Sequence, residues 1–147
     1  MVKYDLGAFV KPLCSWYEKN KRSMPWREQK GAYEVWISEI MLQQTRIEAV
    51  KGYYDRFLKR LPAVKDLAEI PQEELMKLWE GLGYYNRARN LQKAAQKVQD
   101  EYDGVLPADY EKLKSLPGIG NYTAGAIASI AYKIPAPAVD GNVMRVT

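Results

Sequence analysis

The chain has 147 residues, with 22 Lys and Arg against 18 Asp and Glu, a formal net charge of +4 and no histidine. That length suits one compact domain burying roughly 68–70% of its unfolded surface, and the mild positive charge permits a polyanionic partner without demanding one. Without histidine, proton transfer near neutral pH falls to carboxylates, tyrosine, lysine or a thiol. The one cysteine, Cys14, excludes a disulfide within the chain and a cysteine-rich metal site. Flanked by Phe9, Val10, Leu13 and Trp16, it reads as a core-packing residue. No apolar run approaches the ~18 residues of a membrane span. Lys3, Asp5, Lys11 and Pro12 interrupt any signal-peptide pattern. The expectation is a soluble, intracellular, cytoplasmic chain without a membrane partner.

Helical spacing recurs and no strand-like alternation stands out, so the fold class is all-α. The first helix is expected over residues 5–20, with Phe9, Leu13, Trp16 and Tyr17 on one side. A basic, turn-like segment containing Pro25-Trp26-Arg27 follows, then helices over 33–42 and 47–60. Ile47, Val50, Tyr54, Phe57 and Leu58 should face inward, and Pro62 should end that helix. A short helix is expected at 64–69, with Pro71 in the first turn of the next, whose apolar face is Leu75, Leu78 and Trp79. Gly81 and Gly83 close it. A long helix over 86–102 carries Arg87, Arg89, Lys93 and Lys97 on a basic side, while Ala88, Leu91, Ala95 and Val98 can pack. Asp109 is a good N-cap for the short helix before the central turn.

That turn, Leu116-Pro117-Gly118-Ile119-Gly120, organises the rest of the chain. Pro117 stops one helix, both glycines should supply unusual backbone angles, and a second helix should run from about 121 to 132. The unpartnered N–H groups of such a helix start can hold an anion, and a flat Gly-Ile-Gly surface beside them suits a nucleic-acid phosphate. An ordinary helix-turn-helix corner would look the same. Small residues crowd the second helix: Ala124, Gly125, Ala126, Ala128 and Ala131.

Two carboxylates could carry chemistry. Glu39 lies among Trp36, Ile37, Ile40 and Met41, where partial desolvation would raise its pKa and make it a proton donor; it could equally occupy a wet face with Gln43. Asp140 precedes a helix-like start, as an N-cap or as a group facing a ligand. A carboxylate about 4 Å from a cationic sugar is worth on the order of 4 kcal/mol at an effective dielectric of 20, roughly three decades of rate. Gln43 and Gln44 offer amides that can read base edges or fill a gap in a base stack, or they form a polar loop. Tyr84, beside a basic helix, suits stacking on bases, or sits in the core. Trp26 and Arg27 either contact the same ligand or pack.

Together these segments resemble the helix-hairpin-helix (endonuclease III) DNA glycosylase superfamily, and within it the MutY-type adenine glycosylases. The motifs are Pro25-Trp26-Arg27, Val35 to Thr45, Trp79-Glu80-Gly81-Leu82-Gly83-Tyr84-Tyr85, Leu116 to Thr123, and Val139-Asp140-Gly141-Asn142-Val143. The resemblance covers nearly the whole chain. It implies a six-helix region over 26–137, with the hairpin motif at about 109–132. An N-terminal helix within 1–25 and the start of a second catalytic segment over 138–147, cut short, flank that region.

The activity implied is base-excision repair: monofunctional removal of adenine mispaired with 8-oxoguanine or guanine in double-stranded DNA. The glutamate matching Glu39 protonates the adenine ring, and the aspartate matching Asp140 stabilises the cationic sugar. Tyr122 and Asn142 match residues that hydrogen-bond in the pocket, near Trp26 and Arg27. Gln43, Gln44 and Tyr84 match duplex-contacting positions, with Gln44 and Tyr84 wedging near the lesion. Leu116, Gly118, Ile119 and Gly120 match the phosphate-binding hairpin Leu116–Gly120, Tyr122 and Thr123 match further DNA-binding positions, and the carbonyls of Lys114, Leu116 and Ile119 would hold a monovalent cation. Endonuclease III carries a lysine where Tyr122 stands, and a phenol cannot form that enzyme's Schiff base with the sugar. Thymine–guanine mismatch glycosylases can also carry tyrosine there and are the alternative, as is a non-catalytic DNA-binding fragment. The family usually continues with four cysteines for a 4Fe–4S cluster and a domain that recognises 8-oxoguanine, neither of which this sequence contains. A C-terminally truncated chain is therefore expected, with no obligate protein partner.

Overall fold

In the computed structural model, residues 31–43 and 45–135 are described, and their architecture is entirely helical. Seven α-helices follow in order: α1 Ala32–Leu42, α2 Ile47–Arg60, α3 Val64–Glu69, α4 Gln72–Trp79, α5 Asn86–Glu101, α6 Tyr110–Lys114 and α7 Asn121–Ala126. A π-helical turn, Ile127–Ala131, continues α7. The expected helix over 5–20, the segments around Trp26, Arg27, Asp140 and Asn142, and residue Gln44 lie outside the described residues.

α1 is the axis of the core. Tyr33, Val35, Trp36, Ile37, Ser38, Ile40 and Met41 are all buried, so the helix is enclosed on nearly every side, as its near-continuous apolar run requires. α2, α7 and the π turn pack on it. α2 is one-sided instead: Val50, Tyr54 and Phe57 face inward, while Ile47 and Leu58 are only half-buried at the margin. Trp79 of α4 meets Phe57 edge to face at 6.2 Å, and its indole N–H donates to Gly83 O at 3.0 Å. Leu78, expected beside it, is half-buried.

α3 lies along α5, which buries Ala88, Leu91, Ala94, Ala95 and Val98. Small side chains there allow close approach, and the carbonyls left open at the end of α3 are met from α5. Gln92 Nε2 donates to Ile70 O at 2.6 Å, and Gln96 Nε2 to Ala68 O at 3.3 Å. At the other end of α3, Ala63 N–H donates to Asp66 Oδ2 at 3.0 Å. Pro71 stands one place earlier than expected, as the N-cap of α4 rather than in its first turn. Asp109 caps α6 as expected, accepting from Lys112 N–H at 2.9 Å.

The helix after the hairpin departs from expectation. It is α-helical only to Ala126 and then widens into the π turn, packed against α1. Ala, Gly and Ser dominate this stretch, so little side-chain bulk resists the altered winding. Among the described residues, no helix is long and apolar enough to cross a membrane.

Candidate nucleic-acid interface and base-excision site

The hairpin joins α6 to α7 through a tight turn. Ile119 N–H donates to Leu116 O at 3.1 Å, and Gly118 at the third position has φ +77°, with Pro117 before it. Proline then glycine at the centre of such a turn is the type II requirement. Gly120 corrects the expectation of two unusual glycines. Its φ of −91° and ψ of −172° are open to any residue. A Cβ on Gly118 would lie 2.8 Å from Asn90 Cβ, whereas one on Gly120 would meet nothing within 4 Å. Gly118 is therefore required by the fold, and Gly120 faces open space.

Leu116 and Ile119 bury their side chains, which anchors the turn and leaves the backbone of Gly118 and Gly120 on the outside. The surface presented is main chain, so contacts from Leu116 and Ile119 can only be backbone contacts. Thr123 differs from expectation. Its side chain is 1% exposed, and its hydroxyl accepts from Gln43 Nε2 at 3.3 Å. It is an internal link between α7 and the end of α1 and does not face outward.

That link draws together segments remote in sequence. Glu39 is half-buried one turn before Gln43 on α1, and Tyr122, also half-buried, immediately precedes Thr123. Glu39 therefore lies on neither a fully wet face nor a sealed core. Gln43 itself is exposed and caps α1.

Tyr84 is 65% exposed, which removes the core-aromatic alternative. Its φ of +47° follows Gly83 at +74°, so two consecutive left-handed residues project the ring from the loop before α5. Arg87, expected on the basic outer side of α5, is turned inward and half-buried. It donates to Ile40 O at 2.8 Å, to Gln43 O, and to Thr45 Oγ1 at 3.3 Å. Burial lowers its pKa from the usual guanidinium value. The sequence signal for this role is the absence of any basic residue in the last turn of α1, whose C-terminal carbonyls call for a cation from elsewhere.

The turn between α6 and α7, with its backbone on the outside, defines a helix-hairpin-helix protein. Residues 37–147 match the HhH-GPD superfamily of base excision DNA repair proteins, and the chain belongs to that family. It is 48% identical over 151 residues to the adenine DNA glycosylase of Rattus norvegicus, covering 97% of this chain and 29% of that protein. Among solved structures, a thermostable thymine-DNA glycosylase superposes with a TM-score of 0.88 at 32% identity, covering 95% of this chain and 65% of that one. A trapped endonuclease III–DNA covalent intermediate superposes with a TM-score of 0.83 at 28% identity, covering 99% and 68%. The chain thus spans less than a third of the rat relative.

Proposed function

We propose that this chain carries the base-excising part of an adenine glycosylase acting on adenine opposite 8-oxoguanine or guanine in duplex DNA. The observation that carries this reading is the 48% identity to a named adenine DNA glycosylase across 97% of the chain. The adenine leaves the stack at a cost of a few kcal/mol, and water then replaces it at the sugar carbon. Glu39 protonates the departing ring, so the base leaves as a neutral species. Asp140 stabilises the cationic sugar, and Tyr122 and Asn142 hydrogen-bond in the pocket, with Trp26 and Arg27 near the base. Gln43, Gln44 and Tyr84 contact the opened duplex. The hairpin backbone at Gly118 and Gly120 receives a phosphate, and the clear space over Gly120 favours that placement. A monovalent cation on the carbonyls of Lys114, Leu116 and Ile119 is compatible with the turn. Leu116 O already accepts from Ile119 N–H, and a carbonyl keeps a second lone pair. A 4Fe–4S cluster does not fit these residues, because Cys14 alone cannot supply four thiolates, and no step is routed through one.

A second reading, excision of thymine opposite guanine, is favoured by the 0.88 TM-score to a thymine-DNA glycosylase, although identity there is 32%. Single-turnover excision on an adenine·8-oxoguanine duplex and a thymine·guanine duplex separates the two. Adenine release by the chain, falling about 10²- to 10⁴-fold in Glu39→Gln with duplex binding retained, is the expected result. Thymine release would move the assignment to the second reading. Binding without release from either duplex would leave a DNA-binding fragment. Unchanged excision in Glu39→Gln would remove Glu39 from its role.

A further inference from the structure

The Arg87 guanidinium joins the C-terminal end of α1 to the loop before α5. On one side Nη1 donates to Ile40 O at 2.8 Å and to Gln43 O, and Nη2 donates to Thr45 Oγ1 at 3.3 Å. On the other, Nη2 donates to Leu82 O at 3.3 Å and Gly83 O at 3.4 Å, and the guanidinium carbon lies 5.7 Å from the centre of the Tyr84 ring. It also stacks over Trp79 at 5.3 Å. No carboxylate pairs with Arg87 among the described residues, and its buried Nε has no acceptor there. The charge is held by carbonyl dipoles, chiefly at the C-terminal end of α1, and by aromatic faces.

This arrangement serves an exposed feature. Tyr84 is 65% exposed in a left-handed conformation that non-glycine residues seldom adopt and that persists only when its surroundings over-determine it. The carbonyls of the two preceding residues are the ones Arg87 holds. A planar guanidinium can reach acceptors on both sides at once, whereas a lysine ammonium offers three donors from a single point. We infer that Arg87 is a positioning residue that fixes the Tyr84 loop to the C-terminal end of the Glu39 helix, so that the exposed ring and the acid meet the duplex as one unit. The inference rests on the glycosylase reading for its consequence on DNA, but the coupling of the loops can be measured without DNA.

The test compares the chain with its Arg87→Lys variant. In amide hydrogen exchange without DNA, peptides covering residues 40–46 and 82–86 should both exchange about tenfold faster in the variant, the scale set by loss of charge-assisted hydrogen bonds, with α3 unchanged. On a duplex carrying 2-aminopurine beside an adenine·8-oxoguanine pair, the rise in fluorescence that reports unstacking should fall. Affinity for plain duplex and its salt slope should stay the same. Tyr84→Ala should lower that fluorescence rise in the parent chain and add almost nothing in the Arg87→Lys background. Unchanged exchange in either loop overturns the inference, as do additive losses from the two substitutions. A parallel loss of plain-duplex binding also overturns it, by marking a general structural cap. Should Arg87→Lys not fold, Thr45→Val removes one Arg87 acceptor, and the same two peptides decide the matter. A parent chain that shows no unstacking on the adenine mispair fails the glycosylase reading, while the exchange measurement still judges Arg87.

Discussion

At the scale of single residues, the two hairpin glycines separate what the fold needs from what a ligand needs. Gly118 has φ +77° and a Cβ would crowd Asn90. Gly118→Ala should therefore destabilise the chain by about 1–3 kcal/mol, read as a lowered midpoint in urea unfolding. Gly120 is extended and faces open space. Gly120→Ala should leave stability unchanged or raise it by about 0.4–1 kcal/mol through the unfolded chain. It should nevertheless weaken duplex binding if a phosphate approaches there, and full-strength binding by Gly120→Ala would remove this face from the interface. The residues themselves announced the hairpin, through Pro117 before Gly118, but not the difference between its glycines. That difference depends on Asn90, 28 residues away in sequence, and on what stands beside the turn.

At the scale of elements, α6 is the weak member. It has five residues, too few to hold a helix by propensity, and buries only Leu113. The Asp109 carboxylate that accepts from Lys112 N–H therefore matters more than a cap on a long helix. Asp109→Ala should lower stability by about 1 kcal/mol and speed amide exchange in residues 110–114 before that of α5. Equal exchange in the two proteins would show that packing of Leu113 alone holds the helix. Most helix limits were legible from periodicity and punctuation: α2 and α3 begin and end where the apolar spacing and Pro62 place them. The π turn was not legible. A change of winding over Ile127–Ala131 answers to packing on α1 and has no local sign beyond small side chains.

At the scale of the whole molecule, the proposed surface combines backbone at the hairpin, an aromatic loop and a positively charged chain, +4 overall. Duplex affinity should fall steeply between 50 and 200 mM salt, with a log–log slope of about −0.9 per phosphate contacted. A flat response would count against phosphate contacts at the hairpin. Tyr122 stands where the resemblance implies a Schiff-base lysine in endonuclease III, so borohydride should not trap this chain on DNA carrying the mispair. Efficient trapping would identify another amine as nucleophile and end the monofunctional reading.

The sequence by itself determined the all-α class, the order of the helices, the hairpin and the family, because each rests on local spacing or on a run of neighbouring residues. Glu39 and Tyr122 could be singled out from their motifs alone. Only the tertiary structure decided that Thr123 is an internal acceptor for Gln43, that Tyr84 is held outside in a left-handed conformation, and that Arg87 turns from the basic side of its helix to bind the carbonyls of α1. The first and the third depend on partners dozens of residues apart. No periodicity encodes which buried carbonyl lacks a donor, or which distant side chain arrives to supply one.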